Sequence, residues 1–255
     1  MLFRSEVGAI ATQAECNLEY GAKGLEWLRL GIKADDVVKK LVEEDENREV
    51  RQIAVIDAKG NVGVFTGKGC VRFAGDYGEE NFGVVGNMLA TDKVISRMVE
   101  FYKSSDLPLE QRVLETLRVA QNEGGDVRGR RSGGLLSVEG KVSGEYWRGV
   151  VYDLRVDDHV QPVEELKRLY RVAMAYQSMN RGDVEYYENN RVEMAMNEYK
   201  KAAELMPENP ETKFWYAKLL WDAGKKSEAK GVLGEVFEAG EQWREYWRRV
   251  VGELM

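Results

Sequence analysis

Between positions 124 and 134 the chain reads Gly124-Gly125-Asp126-Val127-Arg128-Gly129-Arg130-Arg131-Ser132-Gly133-Gly134, one carboxylate and three guanidinium groups in a run with five glycines. A turn between a helix and a strand needs one or two glycines and no such charge. Asp126 can pair with Arg128 or Arg130 and leave the other guanidinium groups facing a carboxylate or phosphate. The same composition also suits a solvated connecting loop.

Three further stretches carry more polar groups and glycine than packing demands. Ala11-Thr12-Gln13-Ala14 ends an apolar run and leads to Asn17 and Tyr20-Gly21. Thr12 and Asn17 there are either a pocket wall or, for Asn17, a turn and cap residue. Gly86-Asn87-Met88-Leu89 places an amide at a strand end, where Asn87 either donates to a developing oxyanion or caps the helix that follows. Thr66-Gly67-Lys68-Gly69-Cys70 offers backbone N–H groups to an anion but lacks Walker A spacing. Cys70 reads as a small core residue, because no histidine stands nearby in sequence to form its thiolate.

Several chemistries are disfavoured. The chain has one histidine, His159, and two cysteines, Cys16 and Cys70. A Ser-His-Asp triad needs a histidine, and most catalytic zinc sites need two or three. His159, in Asp157-Asp158-His159, reads as a turn residue before the helix at Pro162. No cofactor or metal site is expected. A net charge of −7 argues against nucleic acid, which needs a concentrated basic face. No apolar run is long enough for a membrane span, and no signal peptide is recognisable, so the expected location is cytoplasmic.

The elements that must position these groups fall into two textures. Strands are expected at Val7–Ala14, Arg51–Asp57, Asn61–Thr66, Asn81–Leu89, Gly134–Glu139 and Trp147–Leu154. Helices are expected at Gly21–Leu30, Ala34–Glu44, Thr91–Lys103 and Pro108–Asn122. In the third of these, Val94, Ile95, Met98, Val99 and Tyr102 form one apolar stripe. From Pro162 on the pattern is helical: Pro162–Glu188, Arg191–Leu205, Pro210–Asp222, Lys226–Ala239 and Glu241–Gly252. Ala195 and Ala229 lie 34 residues apart, as do Tyr199 and Leu233, and Ala202 and Val236, which is the tetratricopeptide period. Asn190 takes the inter-helix turn in the first unit and Gly224 in the second. The Trp243/Trp247 helix is expected to cap the stack, and at least one of Trp215 and Trp221 to lie in its core. The expected domains are 1–161 and 162–255.

The ordered motifs Val7-Gly8-Ala9-Ile10-Ala11-Thr12-Gln13-Ala14, Tyr20-Gly21-Ala22-Lys23-Gly24-Leu25, Gly86-Asn87, Gly124-Gly125-Asp126-Val127-Arg128-Gly129 and Asp153-Leu154-Arg155-Val156-Asp157-Asp158-His159 resemble domain of unknown function 1028 over about Val7 to Leu166. That group is assigned to the N-terminal nucleophile (Ntn) hydrolases. Some members carry a helical extension with a junction like Met179-Asn180-Arg181-Gly182-Asp183. Arg131, Gly133-Gly134 and Asp76 depart from its usual Gln, Ala and His.

The resemblance implies an α+β fold, an αββα four-layer sandwich of two antiparallel sheets between helices, followed by an all-α tetratricopeptide-like module. It implies an amidohydrolase whose nucleophile is a Thr, Ser or Cys at the mature N-terminus, with its own α-amine as base. Met1–Glu6 does not match the family pattern, so the first strands and the nucleophile are expected upstream of Met1, and this chain is expected to be inactive. Thr12, Asn17, Asn87, Asp126, Arg128 and Ser132 are expected to converge on one cleft, taking a small amide or carboxylate substrate. A protein or peptide partner is expected on the helical repeats, and self-association is left open. A non-catalytic binding or scaffold protein on the same fold is the alternative.

Overall fold

The computed structural model describes residues 2–141 and 149–252. It divides into two compact units, Met1–Leu166 and Lys167–Met255.

The first unit is built on an antiparallel sheet in the order β1 (Leu2–Arg4), β2 (Gly8–Ala14), β3 (Arg51–Asp57) and β4 (Val62–Thr66). Helices α1 (Glu19–Arg29) and α2 (Ala34–Glu43) cover one face. Ile10 from β2 and Ile53 and Val55 from β3 meet Leu28 of α1 and Val37 and Leu41 of α2 in the core between them. Gly24 makes the close approach of α1 possible: a Cβ there would lie 2.3 Å from Ile10 Cδ1. Because side chains alternate along a strand, the neighbours of these residues project to the opposite face.

That opposite face carries a hairpin of β5 (Gly75–Glu79) and β6 (Phe82–Gly86), packed against β3 and β4. Helix α3 (Val94–Ser104) covers the hairpin, with Tyr102 stacked on Phe82 at 3.8 Å between ring centroids. Helix α4 (Leu109–Asn122) packs on α3 and touches β7 (Gly133–Val138), which among the described residues pairs only with β8 (Val150–Val156). The expected α/β/β/α layering is present, with one correction. The second sheet is not continuous but consists of two separate two-stranded hairpins.

Other corrections are local. No strand was expected in Met1–Glu6, yet Leu2, Phe3 and Arg4 pair with Ile10, Ala9 and Gly8. The strand Gly75–Glu79 was not expected: GDYGE has no β-branched residue, and it is strand only because it pairs with β6. The expected strand Trp147–Leu154 is observed at Val150–Val156, and residues 147 and 148 lie outside the described residues.

In the second unit, α5 (Pro162–Asp183) runs in from the first and ends in a π-helical turn, Val184–Glu188, rather than continuing as one helix. It is followed by α6 (Val192–Leu205), α7 (Pro210–Asp222), α8 (Lys226–Glu238) and α9 (Glu241–Val250). The 34-residue pairs are equivalent in burial: Ala195, Ala229, Ala202 and Val236 are fully buried, and Tyr199 and Leu233 nearly so. The turn positions agree as well, since Asn190 and Gly224 adopt φ of +54° and +78°. Asparagine tolerates that left-handed region better than other side-chain-bearing residues, which explains how the first unit does without glycine.

Helix α7 serves two clusters, packing Leu219 with Ala195 and Tyr199 and packing Phe214 and Ala217 with Leu233 and Val236. Asn209 caps it, its Oδ1 accepting the Glu211 N–H at 3.0 Å, with Pro210 in the first turn. Trp215 packs against both clusters and Trp221 against the second, each half-buried, so both contribute to the core while neither fills its centre. That place belongs to Phe214 and to Trp247 of α9, whose rings meet at 5.7 Å.

Candidate functional site

The side of β2 and β3 turned away from α1 and α2 carries polar groups where an ordinary core strand would be apolar. Gln13 on β2 and Gln52 on β3 are direct cross-strand partners. Gln52 is fully buried, and its Nε2 donates toward Thr66 Oγ1 at 2.8 Å, Gly86 O at 2.9 Å and Gly75 O at 3.1 Å. Its Oε1 accepts from Gln13 Nε2 and Asn87 Nδ2, both at 2.9 Å. Gln13 also donates to Val85 O at 3.1 Å. One amide thus ties the four-stranded sheet to the β5–β6 hairpin and fixes the Asn87 side chain.

Asn87 opens a backbone seam to the arginine loop. Ala90 N–H donates to Gly125 O at 2.8 Å, and Val127 N–H to Met88 O at 2.9 Å. This seam holds Asp126 beside the end of β6. Asp126 takes Arg128 in a two-point contact, Nε to Oδ1 at 3.0 Å and Nη2 to Oδ2 at 2.7 Å, and also accepts the Arg128 backbone N–H at 2.8 Å. The Arg128 guanidinium holds the Asp126 carboxyl below its ordinary range, and the carboxylate raises Arg128 in turn. Of the five guanidinium N–H groups, two are engaged by Asp126 and three remain for a ligand. Arg130 donates to Gln161 Oε1 at 2.6 Å, and Arg131 lies 3.9 Å from Asp158.

These elements surround a cleft of about 890 Å³, walled by the end of β6, the arginine loop, the start of β7 and the apolar faces of α3 and α4. Asn87, Asp126, Arg128 and Ser132 line it together, with Gln13, Arg130 and Arg131. The other two expected residues do not. Thr12 alternates with Gln13 and so projects to the helix-covered face of the sheet, where its Oγ1 is buried without a hydrogen-bond partner among the described residues.

Asn17 belongs to a separate cluster. Asp45 Oδ2 accepts from Tyr20 Oη at 2.9 Å, Arg51 Nε at 3.0 Å and Asn17 Nδ2 at 3.1 Å. Burial alone would raise the Asp45 carboxyl, but the hydrogen bonds from Asn17, Arg51 and the Asn47 backbone overcome it and hold the group well below the usual carboxylate range. Burial, and then Asp45, push the Tyr20 phenol well above its ordinary value. This cluster fastens the loops around α1 and α2.

The remaining candidates behave as core and turn residues. Cys70 is half-buried, donates to Arg51 O at 3.3 Å, and has its thiol pushed up by burial. His159 Nδ1 accepts the Gln161 N–H at 3.0 Å, a turn contact. No group of three or more metal-ligating side chains is present among the described residues. Gln52 and Asp45 were not anticipated. A glutamine amid Ile53 and Val55 was the available signal for the first; Asp45 gave none, since its partners lie elsewhere in the sequence.

Residues 1–166 match the family of unknown function (DUF1028), including Met1–Glu6. The chain belongs to that family. Residues 186–254 match the tetratricopeptide repeat. A crystal structure of a DUF1028-family protein, SPO2555 from Silicibacter pomeroyi, superposes with a TM-score of 0.57 at 29% identity, covering 66% of this chain and 71% of that one. No curated protein matches the chain.

Proposed function

We propose that the DUF1028 domain of this chain is a binding site for a small amide-bearing carboxylate, and that the helical repeats carry a protein or peptide partner. The observation that carries the reading is the Asp126–Arg128 pair fixed at the mouth of a cleft with the Asn87 amide on its wall. A pre-paired arginine binds carboxylate with less ordering cost than a free one. One Asn87 N–H is engaged by Gln52, leaving the second to donate to an amide carbonyl.

The family resemblance supports a finer reading, an amide hydrolase in which Asn87 polarises the carbonyl and Arg128 anchors the substrate. The described residues supply no activated nucleophile: Cys70 lies away from the cleft lining, and Ser132 is exposed without a basic partner. The binding reading is therefore preferred over the hydrolase one for this 255-residue chain, and it carries no turnover. The cytoplasm is the proposed location.

Calorimetric titration with N-acetylglycine, which carries one amide and one carboxylate, tests the reading. Saturable binding that weakens about tenfold in Arg128→Ala is expected. No saturation by N-acetylglycine, acetate or phosphate would overturn it. Turnover of an amide panel by the intact chain would overturn the assignment as a non-hydrolytic binder.

A further inference from the structure

We infer that the cleft takes an extended apolar peptide, added as a strand between β6 and β7 with its C-terminal carboxylate on the arginine loop. This rests on the cleft reading above and names its ligand class.

The third layer of the first unit is interrupted. Among the described residues, β6 pairs only with β5 and β7 only with β8, so β6 and β7 each keep one edge without a strand partner. Val85-Gly86 of β6 and Gly133-Gly134 of β7 line the same cleft. Unpaired strand edges present backbone donors and acceptors that an incoming strand satisfies; of those on β6, the Val85 and Gly86 carbonyls already accept the side-chain amides of Gln13 and Gln52. Above the slot, Ile95 and Met98 of α3 and Leu117 and Ala120 of α4 offer an apolar wall, suited to the alternate side chains of a bound strand.

The glycines favour the same occupant. A Cβ at Gly133 would meet no atom nearer than 3.7 Å, and one at Gly134 none nearer than 3.4 Å, so packing within the chain does not require either. A close-approaching backbone does. Charge fixes the polarity. Arg128, Arg130 and Arg131 line the cleft, and a C-terminal carboxylate is the one charge that an apolar strand always brings.

The test titrates the full chain with acetyl-Lys-Val-Ala-Val-Ala as free acid, as C-terminal amide, and as a free acid N-methylated on alternate residues, beside N-acetylglycine. The free acid should bind at least about tenfold tighter than N-acetylglycine, because the strand contacts add to the carboxylate. Amidation should cost about tenfold, and N-methylation, which removes ladder donors, at least as much. Arg128→Ala should erase the difference between acid and amide. If the peptide binds no tighter than N-acetylglycine, or the N-methylated form binds equally, the strand inference fails and the carboxylate reading stands. If neither ligand binds, both fail. A dimer of the chain dissociated by the peptide would assign the slot to a second copy and overturn the inference as well.

Discussion

Replacing Gln52 with leucine should unlock the hairpin that carries Asn87. The amide is fully buried and takes part in hydrogen bonds to Thr66, Gly75, Gly86, Gln13 and Asn87. With two N–H groups and two lone pairs the amide makes at most about four of these at once. Each lost bond is worth about 1 kcal/mol net, and a leucine of similar size returns about 1–2 kcal/mol by apolar burial, leaving a loss of about 2–3 kcal/mol. That loss is about a hundredfold in a local opening equilibrium. Hydrogen exchange read by mass spectrometry on the intact chain resolves it by segment. Protection should fall about a hundredfold in Arg51–Asp57 and in the β5–β6 hairpin, while α6 to α8 provide an unchanged internal reference. Gln52→Glu should also destabilise, because a carboxylate would face the Gly75 and Gly86 carbonyls, and its defect should shrink in acid. A loss below about 1 kcal/mol in Gln52→Leu would show that apolar packing alone holds the layers together.

Three other outcomes are expected. The Asp45 carboxyl is depressed on folding, so its contribution is present at neutral pH and is lost as pH falls below the unfolded value near 4 toward the lower folded one. Asp45→Asn should therefore cost about 3 kcal/mol at pH 7 in urea titrations, with the gap from the parent narrowing below about pH 4. A Cβ at Gly182 would lie 2.6 Å from the Tyr199 ring, whereas one at Gly231 in α8 meets nothing within 4 Å. Gly182→Ala should destabilise the second unit by about 1–3 kcal/mol and Gly231→Ala should stabilise it by about 0.5–1 kcal/mol, read from thermal melts. Because Ala175 and Met179 of α5 pack with Ala195 and Tyr199, a fragment from Pro162 should melt cooperatively by circular dichroism and one from Asn190 should not.

The legible parts of the sequence were those whose information is local. Helix α7 and strand β3 occur at their expected residues because periodicity and end signals lie inside each segment. The tetratricopeptide offset was legible because the repeat compares the chain with itself. Strand β5 was not, since Gly75–Glu79 has no intrinsic strand preference and takes its conformation from β6. Asn87, Asp126, Arg128 and Ser132 were recognisable by composition alone. Thr12 and Gln13 were separable only by the parity of the strand, and that depends on which face α1 covers. Asn17 was assigned to the cleft because its partner, Asp45, stands 28 residues away and left no local trace.

Amide NMR of the isotope-labelled chain, titrated with N-acetylglycine, tests the placement of the site most directly. Shifts confined to the end of β6 and the Asn87 segment, the arginine loop from Gly124 to Gly134, and the facing turns of α3 and α4 are predicted, and they should vanish in Arg128→Ala. Shifts centred on the Asp45 cluster or on α6 to α9, or persisting in Arg128→Ala, would contradict the account.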